Sequence, residues 1–203
     1  MKFIKGLTLL LLLVCGSQSL QAQTTSTRTG IKVTLSAEEY RLYQLIMEYR
    51  KSKNLPEIPL SKSLSYVARI HCRDLYNNKP DLAPGCNMHS WSDKDKWTAC
   101  CYTPDHKNAS CMWNKPSEIT NYKGSGYEIA CGGDDSLSRT ARVGADEALD
   151  GWKSSAGHNS VIVNQGKFSD RKWKAIGIGI YKGFAMVWFG EEEDPDGKPD
   201  LPK

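Results

Sequence analysis

Two kinds of reactive side chain stand out in this 203-residue chain, thiols and imidazoles. Of seven cysteines, Cys15 lies in an N-terminal apolar block. The other six are Cys72, Cys86, Cys100, Cys101, Cys111 and Cys131. An even count in an exported chain reads as a disulfide framework of up to three bridges, with the pairing open. Cys100 and Cys101 are adjacent, so a bond between them would be strained and each is expected to pair elsewhere. A cysteine zinc cluster is disfavoured, because no C-x-x-C pair occurs. The imidazoles sit in distinct settings. His89 lies in Asn87-Met88-His89-Ser90-Trp91, and His158 in Trp152-Lys153-Ser154-Ser155-Ala156-Gly157-His158-Asn159. Ser90 and Ser155 are the nearest hydroxyl nucleophile candidates, although neither sits in a recognised elbow and no oxyanion donors can be named.

The compartment follows from the first 22 residues. Lys2 and Lys5 precede an apolar block from Leu7 to Val14, and small and polar residues run on to Ala22. That is the order of a secretory signal, with cleavage expected after Ala22 and Ser19 as the alternative. Lipid anchoring at Cys15 is the less favoured reading, since Val14 stands where a lipobox needs a small residue. The mature chain keeps no transmembrane span. It is expected to be secreted, extracellular or periplasmic. Removing residues 1–22 takes the net charge from +4 to +2. With no dense basic stripe, nucleic-acid binding is excluded. Apolar residues at 39% and charged residues at 25% are those of a globular domain rather than a disordered chain.

These groups need a frame. Residues 23–35 are Thr-rich and read as a linker. Ser36 with Glu39 forms a capping box, and Leu42, Leu45, Ile46 and Tyr49 give the helix behind it an apolar stripe that ends at Asn54-Leu55-Pro56. A second helix starts at Ser61 and carries Leu64, Val67, Ala68, His71 and Leu75 on one face, which favours a satisfied core histidine at His71, with a functional histidine as the alternative. From Tyr76 to Gly133 the chain lacks periodicity and holds five cysteines, so it reads as a long stapled loop region. Trp91, Trp97, Trp113 and Tyr102 in that region are expected to form a small satellite core, with a carbohydrate or lipid contact surface as the alternative. Asn108-Ala109-Ser110 matches a glycosylation sequon, discounted because the leader looks bacterial. A third helix is predicted over Arg139 to Ser154, with Ala145, Ala148, Leu149 and Trp152 buried. A hairpin, Lys174–Tyr181 and Phe184–Phe189, follows, and Gly177 and Gly179 in it invite a close approach. Residues 191–203 read as a solvated acidic, Pro-containing tail.

The order of these pieces resembles the CAP superfamily (cysteine-rich secretory proteins, antigen 5 and pathogenesis-related 1), in its bacterial SCP-like branch. The resemblance covers residues 36–190. It rests on Gly126-Tyr127-Glu128-Ile129-Ala130, where many members have G-E-N-I-A; on the W-x-x-S-x-G-H-N stretch; and on the later Ile176-Gly177-Ile178-Gly179. It implies an α+β fold, an α-β-α sandwich with a central antiparallel sheet, and a cleft that in many members is lined by two histidines and two acids able to hold a divalent metal. By position, His89 matches the first histidine and Glu128 the first acid. Ser155 stands where animal and plant members often have a Glu, and their G-H-Y-T-Q stretch is missing here. His158 is then the candidate second imidazole. Glu147 is a candidate second acid, although its helix places it on the wet side.

His89, Glu128 and His158 suit one zinc or another divalent metal with an open position that activates water. The same trio works without metal if Glu128 orients His89 or His158 as a general base. A third reading makes them a buried polar network that pins the stapled loop to the sheet. Three functions follow. The first is a binding module whose ligand, by the family's example, would be lipid, sterol, peptide or glycan. The second is a hydrolase acting on peptide or cell-envelope substrates. The third is a structural or adhesive surface protein. Enzymatic activity is left open.

Overall fold

The computed structural model describes residues 30–132, 139 and 141–203. The leader, residues 23–29 of the expected linker, and residues 133–138 and 140 before the third helix lie outside the described residues. The first described helix, α1 (Ala37–Ser52), starts as its sequence demands. Ser36 Oγ accepts from Glu39 N (3.2 Å) while the Glu39 carboxylate accepts from Ser36 N (2.7 Å). The second, α2 (Lys62–Asn78), is capped by Ser61, whose hydroxyl accepts from Leu64 N (3.0 Å). Three strands, β1 (Gly126–Gly132), β2 (Ala175–Tyr181) and β3 (Phe184–Gly190), form an antiparallel sheet in the order β1-β3-β2. The β2–β3 hairpin turns at Lys182-Gly183, with Lys182 in the left-handed region.

Strand parity builds two cores. Phe184, Met186 and Trp188 of β3 pack with Leu64, Val67 and Ala68 of α2. Ala185, Val187 and Phe189 face the other way, toward Leu42 and Ile46 of α1 and toward Ala148 and Trp152 of α5 (Ala145–Ser154). The result is the expected α-β-α sandwich. Helix α2 lies directly on the backbone of β2. A Cβ on Gly177 would fall 2.1 Å from the Leu64 carbonyl carbon, and one on Gly179 would fall 2.4 Å from that of Ala68. The outer edge of β2 is also covered. Ile176 N donates to Pro59 O (3.0 Å), Ile178 N to Ser65 Oγ (3.2 Å) and Ile180 N to Glu39 Oε1 (3.2 Å), so this edge is closed to further strands. Only the β1 side of the sheet is left to border a cleft.

Several expectations need correction. Strand β1 lies inside the stretch read as aperiodic. Gly126, Glu128, Ile129 and Ala130 are all buried, so no polar–apolar alternation marks it. Short helices α3 (Ala109–Trp113) and α4 (Lys115–Ile119) occupy the loop region, and α6 (Ala156–Ile162) carries the S-x-G-H-N motif. Helix α5 begins at Ala145 rather than Arg139, behind Gly144. The cysteines form two bridges among the described residues, Cys86–Cys101 and Cys100–Cys111. Cys72 belongs to neither, because it is buried on α2 with its thiol donating to Gly179 O (3.4 Å), and burial pushes its pKa up. Cys131, on β1, is also outside both bridges.

The tail is not merely solvated. Asp194 accepts from Ser61 Oγ (2.6 Å), Ser63 N (2.7 Å) and Ser63 Oγ (2.8 Å), placing a carboxylate at the positive end of α2. Asp200 N donates to Val33 O (2.8 Å), and Leu35 N donates to Asp200 O (2.8 Å). Val33 and Leu35, at the end of the expected linker, are therefore buried parts of the domain.

The backbone contact of α2 on β2 gives a direct test. Gly177→Ala should lower stability by about 3 kcal/mol, because the two nearest atoms to the new methyl, the Leu64 carbonyl carbon and Ser65 N, are main chain and cannot rotate away. Urea denaturation of the two proteins measures it, and Gly157→Ala, whose Cβ meets nothing within 4 Å, serves as the tolerated control.

Candidate functional site

Beside β1 opens a cleft of about 470 Å³, floored by Tyr127, Glu128 and Ile129. Helix α3 contributes Met112 and Trp113, α6 contributes Gly157, His158 and Val161, and the turn after α6 contributes Lys167 and Phe168. His89 and Tyr102 complete the wall from the disulfide-bonded loop. That loop is fixed from both ends. Trp91 and Cys100 exchange backbone hydrogen bonds (2.7 and 3.0 Å), and Ser90 Oγ accepts from Asn87 N (3.2 Å) and Tyr102 N (2.9 Å). Ser90 is therefore a buried loop fastener rather than a nucleophile, whereas Ser155 does line the cleft.

The carboxylate of Glu128 is the centre of the polar structure. Its side chain is fully enclosed, and each oxygen faces one imidazole: Oε1 lies 2.7 Å from His89 Nδ1, and Oε2 lies 2.5 Å from His71 Nδ1. The core histidine is thus part of the site. His71 comes from α2, stacks on Trp91 (centroids 4.1 Å apart, 8° between planes), and points Nε2 at Ser90 O (2.9 Å). With Glu128 ionised, both partners of the ring are acceptors, so both ring nitrogens donate and His71 carries two protons. Burial opposes that charge, but Glu128, through its charge and hydrogen bond, outweighs it and raises the His71 pKa. Burial likewise opposes the Glu128 charge, and the two histidines outweigh it and lower the Glu128 pKa. The pair is a buried His71⁺–Glu128⁻ ion pair.

His89 takes the remaining oxygen. Donating through Nδ1 fixes its tautomer and leaves the Nε2 lone pair free to accept, with the side chain 19% exposed beside the cleft. His158 lines the same cleft without a hydrogen bond to His89 or Glu128, and burial, with His89 nearby, holds its pKa below the ordinary imidazole value. Tyr102 leans on the His89 ring (5.1 Å) and shares a hydrogen bond with His106 Nδ1 (2.8 Å). All four histidines of the chain therefore line or underlie one site. Glu147 is exposed on α5, where its carboxylate accepts from Gly144 N (3.4 Å), and it does not reach the cleft. Of the aromatics predicted as a satellite core, Trp91 and Tyr102 are buried and Trp97 packs against them, while Trp113 stands 37% exposed on the cleft.

The model of the cysteine-rich secretory protein family, CAP, matches residues 43–185, from within α1 through β1 and β2 to the start of β3, and includes the cleft residues. The chain belongs to the CAP family. Solved structures similar to it include an outer surface protein of Borrelia burgdorferi (17% identity, 77% of this chain and 93% of that one, TM-score 0.48). An extracellular SCP-domain protein of Bacillus anthracis (17%, 76% and 40%, TM-score 0.47) and a cysteine-rich secretory protein of Staphylococcus aureus (17%, 76% and 38%, TM-score 0.44) are also similar. No curated protein matches the chain.

In the cleft, His158 stands apart from the hydrogen-bonded His89–Glu128 pair. Among the described residues, no group of three or more His, Cys, Asp or Glu side chains is arranged to hold an ion. The reason lies in Glu128. Each of its oxygens already accepts an N–H, and its charge is matched by His71⁺. What remains toward the cleft is the Nε2 of His89 and the imidazole of His158.

The ion pair makes stability depend on pH from both sides. The lowered Glu128 pKa contributes stability that is full above about 4.5 and is lost as pH falls through the folded-state value. The raised His71 pKa contributes stability that is full below about 6.5 and is lost as pH rises through its folded-state value. Urea midpoints taken across pH should therefore peak between those limits. Glu128→Gln should lower the peak by about 3–5 kcal/mol and flatten both flanks, because it leaves a buried imidazole without its counter-charge.

Proposed function

We propose that this CAP domain is an exported binding module whose cleft takes a small, largely apolar ligand oriented by His89. One observation carries the reading. An aromatic-walled cleft of about 470 Å³ has His89 on its wall, held through Nδ1 by Glu128, and pockets of about 300–1,000 Å³ with few placed polar groups are those of small-molecule sites. Export is supported by the leader pattern of residues 1–22 and by the two disulfides, which persist in oxidising compartments. No helix among the described residues is long and apolar enough to cross a membrane.

A second reading has its own support. The Glu128–His89 arrangement, with Nδ1 donating and Nε2 left to accept, is that of a general base, and Ser155 lines the same cleft. On this reading the domain hydrolyses peptide or cell-envelope substrates.

Titration with the neutral fluorophore N-phenyl-1-naphthylamine tests the cleft. One site per chain is expected, lost in Gly157→Trp, which adds bulk at the rim where a Cβ meets nothing. His89→Ala separates the two readings. A module keeps the probe with affinity reduced by about tenfold or less, as for one lost hydrogen bond. A hydrolase loses about a hundredfold or more of its turnover on peptide or envelope substrates.

A further inference from the structure

Resting on the cleft assignment above, we infer that the cleft receives an extended, acidic segment of a partner protein as an added strand on the edge of β1. The direction of the sheet's main-chain groups points to this. Ile176, Ile178 and Ile180 of β2 donate away from the sheet, so Ala175, Gly177, Gly179 and Tyr181 are the residues that pair with β3. Their partners on β3 are Gly190, Trp188, Met186 and Phe184. Ala185, Val187 and Phe189 therefore turn their N–H and C=O groups the other way, to Cys131, Ile129 and Tyr127 of β1. The main-chain groups of Gly126, Glu128 and Ala130 then face outward, off the edge of the sheet.

Two of these three positions are already closed. Ala130 O accepts from Trp152 Nε1 (2.9 Å), and Gly126 is buried against Pro116 and Trp188. Glu128 is left. Its main-chain N–H and C=O have no hydrogen-bond partner among the described residues. The residue is 6% exposed while its side chain is 0% exposed, so the cleft meets Glu128 through its main chain. A donor and an acceptor side by side on a strand edge are satisfied together by one residue of an antiparallel strand. The walls suit the side chains of such a strand. Tyr102 and Met112 belong to the core on the α2 side of the sheet, and Val161 and Phe168 to the core on the other side, with Tyr127 and Ile129. Alternate side chains of an added strand enter these two halves in turn.

The charge of the segment follows from the lip. Glu128 is the one acid in the lining, and its carboxylate is matched by His71⁺ from beneath. Lys167 lies over the Phe168 ring (5.4 Å), and no carboxylate among the described residues is paired with it. Arg171 shares one nitrogen with Glu191 (2.6 Å) and keeps its guanidinium over the Tyr127 ring (5.0 Å). A cationic lip on the Tyr127 half selects an acidic residue over a basic one.

Capped hexapeptides and the oxidised mature protein provide the test. A degenerate library with Val, Thr, Tyr, Asp or Lys at each position is equilibrated with the protein, and the peptide retained most tightly is titrated by calorimetry. One peptide per chain should bind, displace the neutral fluorophore and carry Asp rather than Lys. Amide hydrogen exchange should slow about tenfold or more at Glu128 and stay unchanged at Ile129, whose N–H already faces β3. Binding should fall about tenfold on N-methylation of the one peptide residue opposite Glu128 and hold on N-methylation of its two neighbours. Lys167→Glu should remove the preference for Asp, and Gly157→Trp should abolish retention. Equal retention of Asp and Lys peptides, unaffected by Lys167→Glu, overturns the acidic partner. A retained peptide that leaves exchange at Glu128 unchanged, tolerates N-methylation everywhere or persists in Gly157→Trp overturns strand addition. Retention of no peptide by protein that still binds the fluorophore overturns this inference alone, whereas failure of both removes the cleft assignment itself.

Discussion

The His71–Glu128 ion pair is the constraint on which the rest of this domain turns. It ties α2 to β1 across the face of the sheet through two residues that are 57 positions apart in the chain. Neither charge would survive alone in that setting, because an unpaired buried ion is far too costly. Geometry and charge together favour the pair: a carboxylate and a main-chain carbonyl flank the two nitrogens of one ring, and each charge shifts the other toward its ionised form. Everything nearby is arranged to keep that geometry. Trp91 stacks on the imidazole, Ser90 supplies the second acceptor, and two disulfides hold the loop that carries both residues. The stapled region is thus one wall of a polar chamber whose other walls are helix and strand.

Much of this frame was legible in the sequence because it is encoded locally. The Ser36–Glu39 box, the apolar faces of α1 and α2, and the β2–β3 hairpin all follow from spacing within a few residues. Gly177 and Gly179 belong with them, since glycine alternating with isoleucine on a strand signals a neighbour at backbone distance, and that neighbour is α2. Where the pattern failed, a long-range partner was responsible. Strand β1 was hidden because both of its faces are covered and because a buried glutamate interrupts its apolar run. The tail read as solvated because its acids gave no hint that Asp194 caps α2 or that Asp200 pairs with Val33 and Leu35.

The site shows the same division. His89 and Glu128 were identifiable by motif, and the structure joins them directly. The helix stripe places His71 in the core, where it is fully buried, but does not name its partner. The available signal was that an ionisable ring on the buried stripe of a helix needs a partner of opposite charge or a polar acceptor, and Glu128 was one such partner. His158 shares the cleft wall without sharing the carboxylate. The motif residue His158 thus stands on the cleft wall, while the carboxylate of Glu128 is shared between His89 and His71.

That sharing changes the chemistry. A carboxylate shared between two cleft imidazoles would leave negative charge facing the ligand, which is a cation's site. A carboxylate shared with a protonated imidazole from below is neutral toward the cleft, and its role becomes steric and directional. It holds His89 with Nε2 as acceptor and adds no net field of its own. The field in the cleft is then set by residues that the family motifs do not include, Lys167 on the turn after α6 and Arg171 beyond it. Helix-to-strand connections vary more freely than the sheet they join. The charge along the cleft accordingly rests on its rim, while the polar floor beneath it is part of the core.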